Sequence, residues 1–346
     1  MPTCDRNISG MHLTIRADGG PEIGYGHLVR TSALAGEMLR RGHRVTYATT
    51  TPNHVADVCP DGVETFRLPS RSDVSPLIDR LHEIGADAVL TDSYSVDASY
   101  QRAVRNTVPL AVVSDDTRHP ICADILVNGN LYARTLDYEI RGDEPVRCLG
   151  PDCLLLRREI TRLTAREPPW HDDPSPALVT MGGSDIDGLT PTILRAFDGF
   201  DLCVDAIVGP GFSAEQETEV HAAAGDVSAD VTVTRDPDDL AERMFEADFA
   251  VSTSSSTTYE LLALGTPTVS IPVADNQESI ASALREHDAA TVLKRGAGKD
   301  TFRGAIEEYV TNPTLRRKHR ERGRELVDGR GTERIYAELL SLLGES

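Results

Sequence analysis

Residues 11–34 read MHLTIRADGGPEIGYGHLVRTSAL. The first part of this stretch, residues 11–17, is rich in apolar and β-favouring residues and predicts a buried strand. A glycine-rich loop follows, and a periodic apolar run at 27–41 then predicts a helix. His27 therefore stands where the loop meets the helix. A strand, a glycine loop and a helix in this order are the opening of a parallel α/β fold.

The same order of strand, loop and helix recurs along the whole chain. In the first half, strands are expected at 11–17, 44–49, 63–68, 87–91, 110–114 and 124–128. In the second half, they are expected at 177–181, 202–208, 230–234, 249–252, 268–273 and 291–294. Apolar strands that alternate with helices predict parallel sheets covered on both faces.

The proline-rich and charged segment TAREPPWHDDPSP, residues 164–176, predicts a linker between the two series. We therefore predict an α/β protein of two Rossmann-like domains, residues 11–163 and 177–325, with parallel sheets facing a central cleft. Residues 326–346 are expected to form a C-terminal helix that packs back on the N-terminal domain. Ligands of such sheets bind at the carboxyl ends of the strands, so chemistry is sought in the loops there.

The composition is acidic and almost free of lysine. The net charge of the 346 residues is −20, and of the 35 basic residues only Lys294, Lys299 and Lys318 are not arginine. Many acidic residues with so little lysine predict a solvated surface adapted to high salt, where screening relieves the self-repulsion. No basic stripe is present to release counterions from phosphates, which argues against nucleic-acid binding.

The six cysteines, at positions 4, 59, 122, 148, 153 and 203, form no CxxC pair and have no metal-like spacing with histidine. Scattered thiols favour a reducing compartment. The first ten residues lack the apolar core of a signal peptide, and no apolar run approaches the length of a membrane span. The sequence therefore predicts a soluble, cytoplasmic protein with no membrane partner.

The loop before His27 contains GYGH, which is not the GxGxxG fingerprint of a dinucleotide site. Gly24 and Gly26 allow a ligand to approach the backbone closely. The positive end of the helix dipole disfavours an imidazolium in the first turn, and a neutral imidazole is what a general base requires. His27 is therefore a candidate base. Arg16 and Asp18, at the end of the first strand, either orient a substrate or pair with each other.

Two loops of the second half are candidates for binding phosphate. Residues 180–190 (TMGGSDIDGLT) place Gly182, Gly183 and Ser184 between a strand and a helix. Residues 252–257 (STSSST) bring hydroxyls and free amides to the start of the next helix, with Ser254, Ser255, Ser256 and Thr257 as candidates. Backbone amides at such turns bind anions without a lysine.

Further polar residues follow strands in both halves. Glu260 is a candidate for binding ribose hydroxyls, and Asn276 and Gln277 follow a later strand in ADNQ (274–277). In the first half TDSY (91–94), SDDT (114–117) and NGNLY (128–132) form a polar wall suited to a sugar, with Tyr94, Asn128 and Asn130 as candidates. No metal motif stands where a diphosphate requires one. The residues suit attack by an activated water on a nucleotide sugar, or transfer of that sugar.

Taken in order, IRADGGPEIGYGHLVR, TDSY, SDDT, LVNGNLYA, MGGSD and STSSSTTYELLALGTPTVSIPVADNQES resemble the PseG-type nucleotide-sugar hydrolases of pseudaminic-acid biosynthesis, relatives of the SpsG proteins. The resemblance spans residues 11–330. It implies a GT-B fold and hydrolysis of UDP-2,4-diacetamido-2,4,6-trideoxy-β-L-altropyranose to the free sugar and UDP, with inversion and with neither a metal nor another cofactor.

The resemblance also implies roles for individual residues. The histidine of the family's GxGH motif corresponds to His27, which would activate the water, and the asparagine of the NQ motif corresponds to Asn276, which would place the sugar. Glu260 would hold the ribose and Tyr94 would line the sugar site. Gly182–Ser184 and Ser254–Thr257 would hold the diphosphate and the uridine. The motifs specify neither which UDP-sugar is bound nor an oligomeric state.

Three alternatives remain at this point. A GT-B glycosyltransferase would use the same donor but would also require an acceptor groove, often apolar or basic. A UDP-sugar 2-epimerase would require more paired carboxylates than the loop before His27 contains. A non-catalytic sugar-nucleotide binder would bind UDP without turnover.

If the acidic surface is adapted to salt, the folded state will be more stable in molar KCl than in dilute buffer, because screening removes repulsion among the carboxylates. Thermal unfolding followed by circular dichroism in the two media measures this directly. Equal values of Tm would contradict the prediction.

Overall fold

The computed structural model describes residues 10–20 and 23–344. The chain divides into two compact units. The first contains the N-terminal segment to Gly129, residues Ala133–Arg157, and the C-terminal segment from Arg330. The second contains Asn130–Tyr132 and Arg158–Gly329. Within the described residues, no helix is both long enough and apolar enough to cross a membrane.

The first unit has seven parallel strands in the order β3-β2-β1-β4-β5-β6-β7. The strands are β1 (His12–Ala17), β2 (Arg44–Thr49), β3 (Glu64–Arg67), β4 (Ala88–Asp92), β5 (Leu110–Val113), β6 (Ile125–Asn128) and β7 (Val146–Leu149). The helices are α1 (Gly26–Arg40), α2 (Pro52–Val58), α3 (Ser75–Ile84), α4 (Ala98–Arg105) and, from the C-terminal segment, α13 (Gly331–Leu342).

The second unit has six parallel strands in the order β10-β9-β8-β11-β12-β13. The strands are β8 (Pro176–Thr180), β9 (Cys203–Val208), β10 (Asp230–Arg235), β11 (Phe249–Thr253), β12 (Thr268–Ile271) and β13 (Thr291–Val292). The helices are α5 (Arg158–Thr164), α6 (Thr190–Ala196), α7 (Ala214–Gly225), α8 (Leu240–Glu246), α9 (Ser256–Leu264), α10 (Glu278–Glu286), α11 (Lys299–Thr311) and α12 (Pro313–Leu326).

The predicted fold class is confirmed, with two Rossmann-like units that each carry one parallel sheet. Each expected strand is present, with ends shifted by a few residues. The edge strand β7 was not predicted; its four residues, VRCL, are mostly exposed or half-buried and show no apolar run. The domain limits drawn from the sequence differ from the observed division, because residues 158–176 lie in the second unit.

Helix α13 packs on the first unit although it comes last in the chain. Tyr336 lies in the same apolar core as Leu34 and Met38 of α1. Its hydroxyl is 2.8 Å from Nε2 of His43, and the Nδ1 atom of that ring accepts the backbone N–H of Met11 at 3.0 Å. Apolar burial, together with the hydrogen bonds of both His43 ring nitrogens, holds the C-terminal helix in place.

Residues 164–172 of the second unit run from the last residue of α5 into the segment before β8, and arginines bind several of their backbone carbonyls. Arg316, Arg320 and Arg324 are spaced four apart on α12, so they share one face of the helix. Arg316 donates to the carbonyls of His171 and Asp172, Arg320 to those of Pro168 and Pro169, and Arg324 to those of Thr164 and Arg166. We call these three residues the arginine ladder.

The ladder depends on the guanidinium group, which presents several N–H donors in one plane. Arg320 should therefore not tolerate lysine, although the charge is kept. We expect Arg320→Lys to lower the free energy of unfolding by about 2 kcal/mol, because lysine does not offer two nitrogen atoms spaced like Nη1 and Nη2, which bind the two proline carbonyls. Urea unfolding measures the change.

Arg317→Lys is the matched control. Arg317 is exposed on the same helix, with its guanidinium carbon 4.9 Å from the centroid of the Trp170 ring. Its replacement should change stability by less than about 0.5 kcal/mol. Equal losses in the two variants would mean that the ladder contributes nothing specific.

Candidate active site

The candidate site of the first unit lies where the sheet reverses its strand order. Strand β1 pairs with β2 on one side and with β4 on the other, so their connections leave in opposite directions and open a crevice at the carboxyl ends. The register of β1 and β4 sets Ala17 beside Asp92. The loop that leads to His27 therefore starts next to the carboxylate that ends β4.

The loop between β1 and α1 needs glycine at two described positions. Gly20 and Gly24 form an isolated antiparallel bridge, with the Gly24 N–H donating to the Gly20 carbonyl at 2.8 Å. Their φ angles are 146° and 79°, a region that residues with a Cβ seldom adopt. A Cβ on Gly20 would also lie 2.8 Å from the His54 ring. Helix α1 follows this bridge and begins at Gly26 with no side-chain cap.

His27 is held by Asp92. Its Nδ1 atom lies 2.6 Å from Asp92 Oδ1, and Asp92 is only 1% exposed. An ionised carboxylate can only accept, so a neutral His27 ring must carry its proton on Nδ1. That assignment leaves the lone pair on Nε2, the form that can take a proton from water.

Arg30 lies one turn after His27 on α1 and binds the same carboxylate. Its Nε and Nη2 atoms donate to the two oxygens of Asp92 at 2.5 and 2.6 Å, and Nη1 donates to Asp115 Oδ1 at 2.7 Å. Burial by itself raises the pKa of Asp92, but Arg30 and then His27 reverse this and hold the pKa well below its ordinary value. Asp92 is therefore a stable anion.

Tyr94 lies beside the imidazole. The ring centroids of His27 and Tyr94 are 4.8 Å apart in an edge-on arrangement, and the guanidinium of Arg118 covers the Tyr94 ring at 3.9 Å. Burial, and then the charge of Asp115, raise the pKa of Tyr94 to about 12, so its phenol is neutral. At 39% exposure Tyr94 is one of the few exposed large apolar residues, which suits a residue that contacts a ligand.

Arg16 and Asp18 pair with each other, which was one of the two roles expected from the sequence. Arg16 is fully buried and donates to Asp18 Oδ2 at 2.7 Å. The other oxygen of Asp18 accepts from the hydroxyls of Thr49 and Thr50 and from the Thr50 N–H. These bonds brace the ends of β1 and β2, and they leave little of either residue exposed to a substrate.

Asn128 and Asn130 are both buried. The side-chain amide of Asn128 donates to the Tyr138 hydroxyl at 2.8 Å within the first unit. Asn130 belongs to the second unit, as does the neighbouring Leu131, whose N–H donates to the Tyr259 hydroxyl at 3.1 Å. Of the predicted polar wall, these two side chains are therefore largely shielded from solvent.

The glycine turn of the second unit follows β8, which lies between β9 and β11 and so marks the reversal point of that sheet. Gly182 has a φ of 75°, and Gly183 accepts the Gly211 N–H at 2.8 Å. A Cβ on Gly209 would lie 2.6 Å from the Gly183 carbonyl oxygen. The turn therefore requires glycine in the neighbouring loop as well, a contact that the sequence did not suggest.

Helix α6 does not continue directly from this turn. The carboxylate of Asp185 accepts the N–H groups of Leu189 and Thr190 at 2.9 and 2.8 Å, so a negative charge already occupies the start of the helix. A phosphate would be repelled there. The amides of Leu189 and Thr190 are therefore already occupied, and the predicted anion contacts of this turn stay with the amides of Gly182, Gly183 and Ser184.

The serine-rich loop after β11 leads directly into α9. Its first helical residues, Ser256 and Thr257, are exposed and half-buried, and the helix has no side-chain cap. The hydroxyl of Ser255 accepts from Thr253 at 3.0 Å. Ser254 differs from the expectation, because it is fully buried and its hydroxyl lies 2.8 Å from that of Ser270. An uncapped start of nine helical residues, with hydroxyls around it, suits an anion.

The remaining candidates come after β11 in the second unit. Glu260 lies in the second turn of α9 and is 7% exposed. Asn276 is exposed in a short 3-10 turn, Asp275–Gln277. The side-chain carbonyl of Gln277 accepts the Val273 N–H at 2.9 Å, so it shapes this loop. Across the described part of the chain, no three histidine, cysteine or acidic side chains are placed to hold a metal ion.

Sequence reasoning missed Asp92, Arg30 and Asp115 as site residues. Asp92 and Asp115 stood inside the quoted TDSY and SDDT motifs, but nothing singled them out. Arg30 had a local signal, since it lies three residues after His27 and so shares its helix face. Their meeting depends on strand pairing between distant segments.

No protein-family model matches the chain. The SpsG spore-coat polysaccharide biosynthesis protein of Bacillus subtilis is 25% identical over 96% of this chain and 98% of its own length. A UDP-2,4-diacetamido-2,4,6-trideoxy-β-L-altropyranose hydrolase of Campylobacter jejuni is 25% identical over 79% of this chain and 96% of its length. An uncharacterized protein of Methanocaldococcus jannaschii is 24% identical, and the match spans only 55% of its length.

Solved structures agree on the fold. MurG of Acinetobacter baumannii superposes with a TM-score of 0.71 at 14% identity, covering 96% of this chain and 99% of its own. A UGT2 of Phytolacca americana, complexed with UDP-2-fluoro-glucose and pterostilbene, superposes with a TM-score of 0.66 at 13% identity over 96% and 99% of the two chains. The chain is SpsG/PseG-like in sequence and GT-B-like in fold.

The buried Asp92 charge should contribute to stability in a pH-dependent way. Because its pKa is lower in the folded protein, the contribution is present above the ordinary aspartate value of 3.8 and declines as the pH falls below it. Asp92→Asn should cost about 3 kcal/mol at pH 7 and less at pH 3. Urea unfolding at the two pH values, at constant salt, measures the difference.

Asp143→Asn is the control, because Asp143 is a surface carboxylate with 93% of its side chain exposed. It should change stability little at either pH. A cost of Asp92→Asn that stayed the same between pH 7 and pH 3 would contradict the assignment of Asp92 as a buried anion.

Proposed function

We propose that this protein hydrolyses a UDP-linked diacetamido-trideoxyhexose to the free sugar and UDP, in the biosynthesis of a pseudaminic-type nonulosonic acid. The observation that carries the proposal is the 2.6 Å contact of His27 Nδ1 with the buried Asp92, which leaves Nε2 as the acceptor. The similarity to the C. jejuni hydrolase, over 79% of this chain, supports the substrate class.

In this reaction the oxygen of a water attacks the anomeric carbon, and Nε2 of His27 takes a proton from that water. The bond between the anomeric carbon and the phosphate oxygen breaks, and its electron pair leaves with UDP. Attack from the side opposite to the leaving group inverts the configuration. Asp92 remains ionised throughout and stabilises the imidazolium that forms.

We assign the remaining candidates to binding. The free amides of Gly182–Ser184 and the uncapped start of α9 would hold the diphosphate, and Glu260 would accept hydrogen bonds from the ribose. Tyr94, as a neutral phenol, would line the sugar site, and Asn276 would contact the sugar. No step requires a metal, since amide donors compensate the charge of the leaving diphosphate.

The test uses purified protein in molar KCl with UDP-2,4-diacetamido-2,4,6-trideoxy-β-L-altropyranose. UDP release is followed by a coupled assay and the free sugar by NMR. We expect turnover by the wild type and a kcat lowered by about 10²- to 10⁴-fold in His27→Ala, because the general base is lost. His82→Ala, at an exposed histidine of α3, should retain full activity.

The other outcomes discriminate among the alternatives. UDP released only after an acceptor is added would identify a glycosyltransferase and overturn the hydrolase. Binding of UDP with no turnover across a panel of UDP-sugars would identify a binding protein. Full activity in His27→Ala would remove His27 from the mechanism.

A further inference from the structure

Arg30 has no role in the reaction as described, although it donates three hydrogen bonds to carboxylates close to His27. It uses three separate nitrogen atoms, two on the oxygens of Asp92 and one on Asp115. Both residues of α1 that reach Asp92 lie on one helix face, three positions apart. The guanidinium therefore links Asp92, the last residue of β4, to Asp115, which follows the neighbouring strand β5.

Asp92 needs this partner because it is almost completely buried. A carboxylate taken out of water is costly unless charge and hydrogen bonds compensate it. Oδ1 accepts from both His27 Nδ1 and Arg30 Nη2, at 2.6 Å each, and Oδ2 accepts from Arg30 Nε at 2.5 Å. A neutral histidine supplies one hydrogen bond and no charge, so the compensating charge comes from Arg30.

Arg30 is itself held by a second anchor. Its side chain is 23% exposed, and a long side chain at such a position would otherwise gain entropy by turning toward water. Asp115 Oδ1 binds Nη1 at 2.7 Å and keeps the guanidinium in the plane that serves Asp92. Arg30 Nη2 also lies 3.2 Å from His27 Nδ1, but that contact cannot be a hydrogen bond while Nδ1 donates to Asp92.

We propose that Arg30 and Asp115 are positioning residues for His27, acting through Asp92 to keep the ring proton on Nδ1 and the Nε2 lone pair free. The inference rests on the proposed function of this site, because a fixed tautomer matters only if His27 is the base. Without Arg30, burial would favour the protonated form of Asp92. A protonated Asp92 could donate to His27 Nδ1 instead of accepting from it. The ring would then lose the carboxylate that selects its tautomer.

The tautomer can be measured without any substrate. In protein labelled with ¹⁵N-histidine, the two ring nitrogens of a neutral imidazole have distinct shifts, and the His27 signals are assigned by their loss in His27→Ala. At a pH where the ring is neutral, we expect the wild type to show a protonated Nδ1. Arg30→Gln should move both shifts toward those of a ring that exchanges between tautomers.

Two further variants separate charge from geometry. Arg30→Lys keeps the charge but cannot bridge two carboxylates, and Asp115→Asn keeps the shape but releases Arg30. Both should show intermediate ring shifts, with kcat lowered about 10-fold and KM changed less than about 2-fold, since a positioning residue acts on the chemical step. Arg40→Gln, at an exposed arginine of the same helix, is the matched control.

The outcomes are separable. Wild-type ring shifts in a folded Arg30→Gln protein would overturn the proposal. If that variant does not fold, unchanged ring shifts in both Arg30→Lys and Asp115→Asn would overturn it equally. Shifted ring signals in a protein whose wild type hydrolyses no UDP-sugar would support the positioning role and would refute only the proposed function.

Discussion

The parallel pairing of β1 with β4 is the interaction on which the candidate active site depends. Its register sets Ala17 beside Asp92. Because the strand order reverses at β1, the glycine loop and the start of α1 lie at the same carboxyl edge of the sheet as Asp92. His27 and Arg30 then meet Asp92 although 65 and 62 residues separate them along the chain. A slip of one residue in this register would turn the Asp92 side chain to the other face of the sheet.

The fold was largely predictable from the sequence because alternating apolar strands and helices permit few arrangements. His27 was also predictable, since its position after a strand and a glycine loop is a local property. Asp92 and Asp115 were not, because an acidic residue at the end of a strand is usually only a loop cap. Arg30 shares the helix face of His27, but its carboxylate partners come from strand pairing between distant segments. Ser254 shows the opposite error, since a serine in a polar loop was taken as a ligand contact but lies buried against Ser270.

The two phosphate candidates of the second unit illustrate why a helix start is a weak signal by itself. Both α6 and α9 follow a strand and a polar turn, and the sequence treats them alike. In the structure, the Asp185 carboxylate occupies the start of α6, whereas α9 has no side-chain cap. The two helix starts differ because Asp185 adopts a backbone φ of 40° and binds the start of α6, and a pattern of residue types does not reveal that conformation.

The arginine ladder accounts for part of the high arginine content of this chain. An excess of arginine over lysine is commonly treated as a property of the solvent-facing surface, but Arg316 and Arg320 are buried and bind the main chain. Lysine at these positions would not reproduce the main-chain hydrogen bonds, because its head group carries one nitrogen atom where the guanidinium carries three. The arginine content of this protein thus includes groups that build the inside of the fold as well as groups that face the solvent.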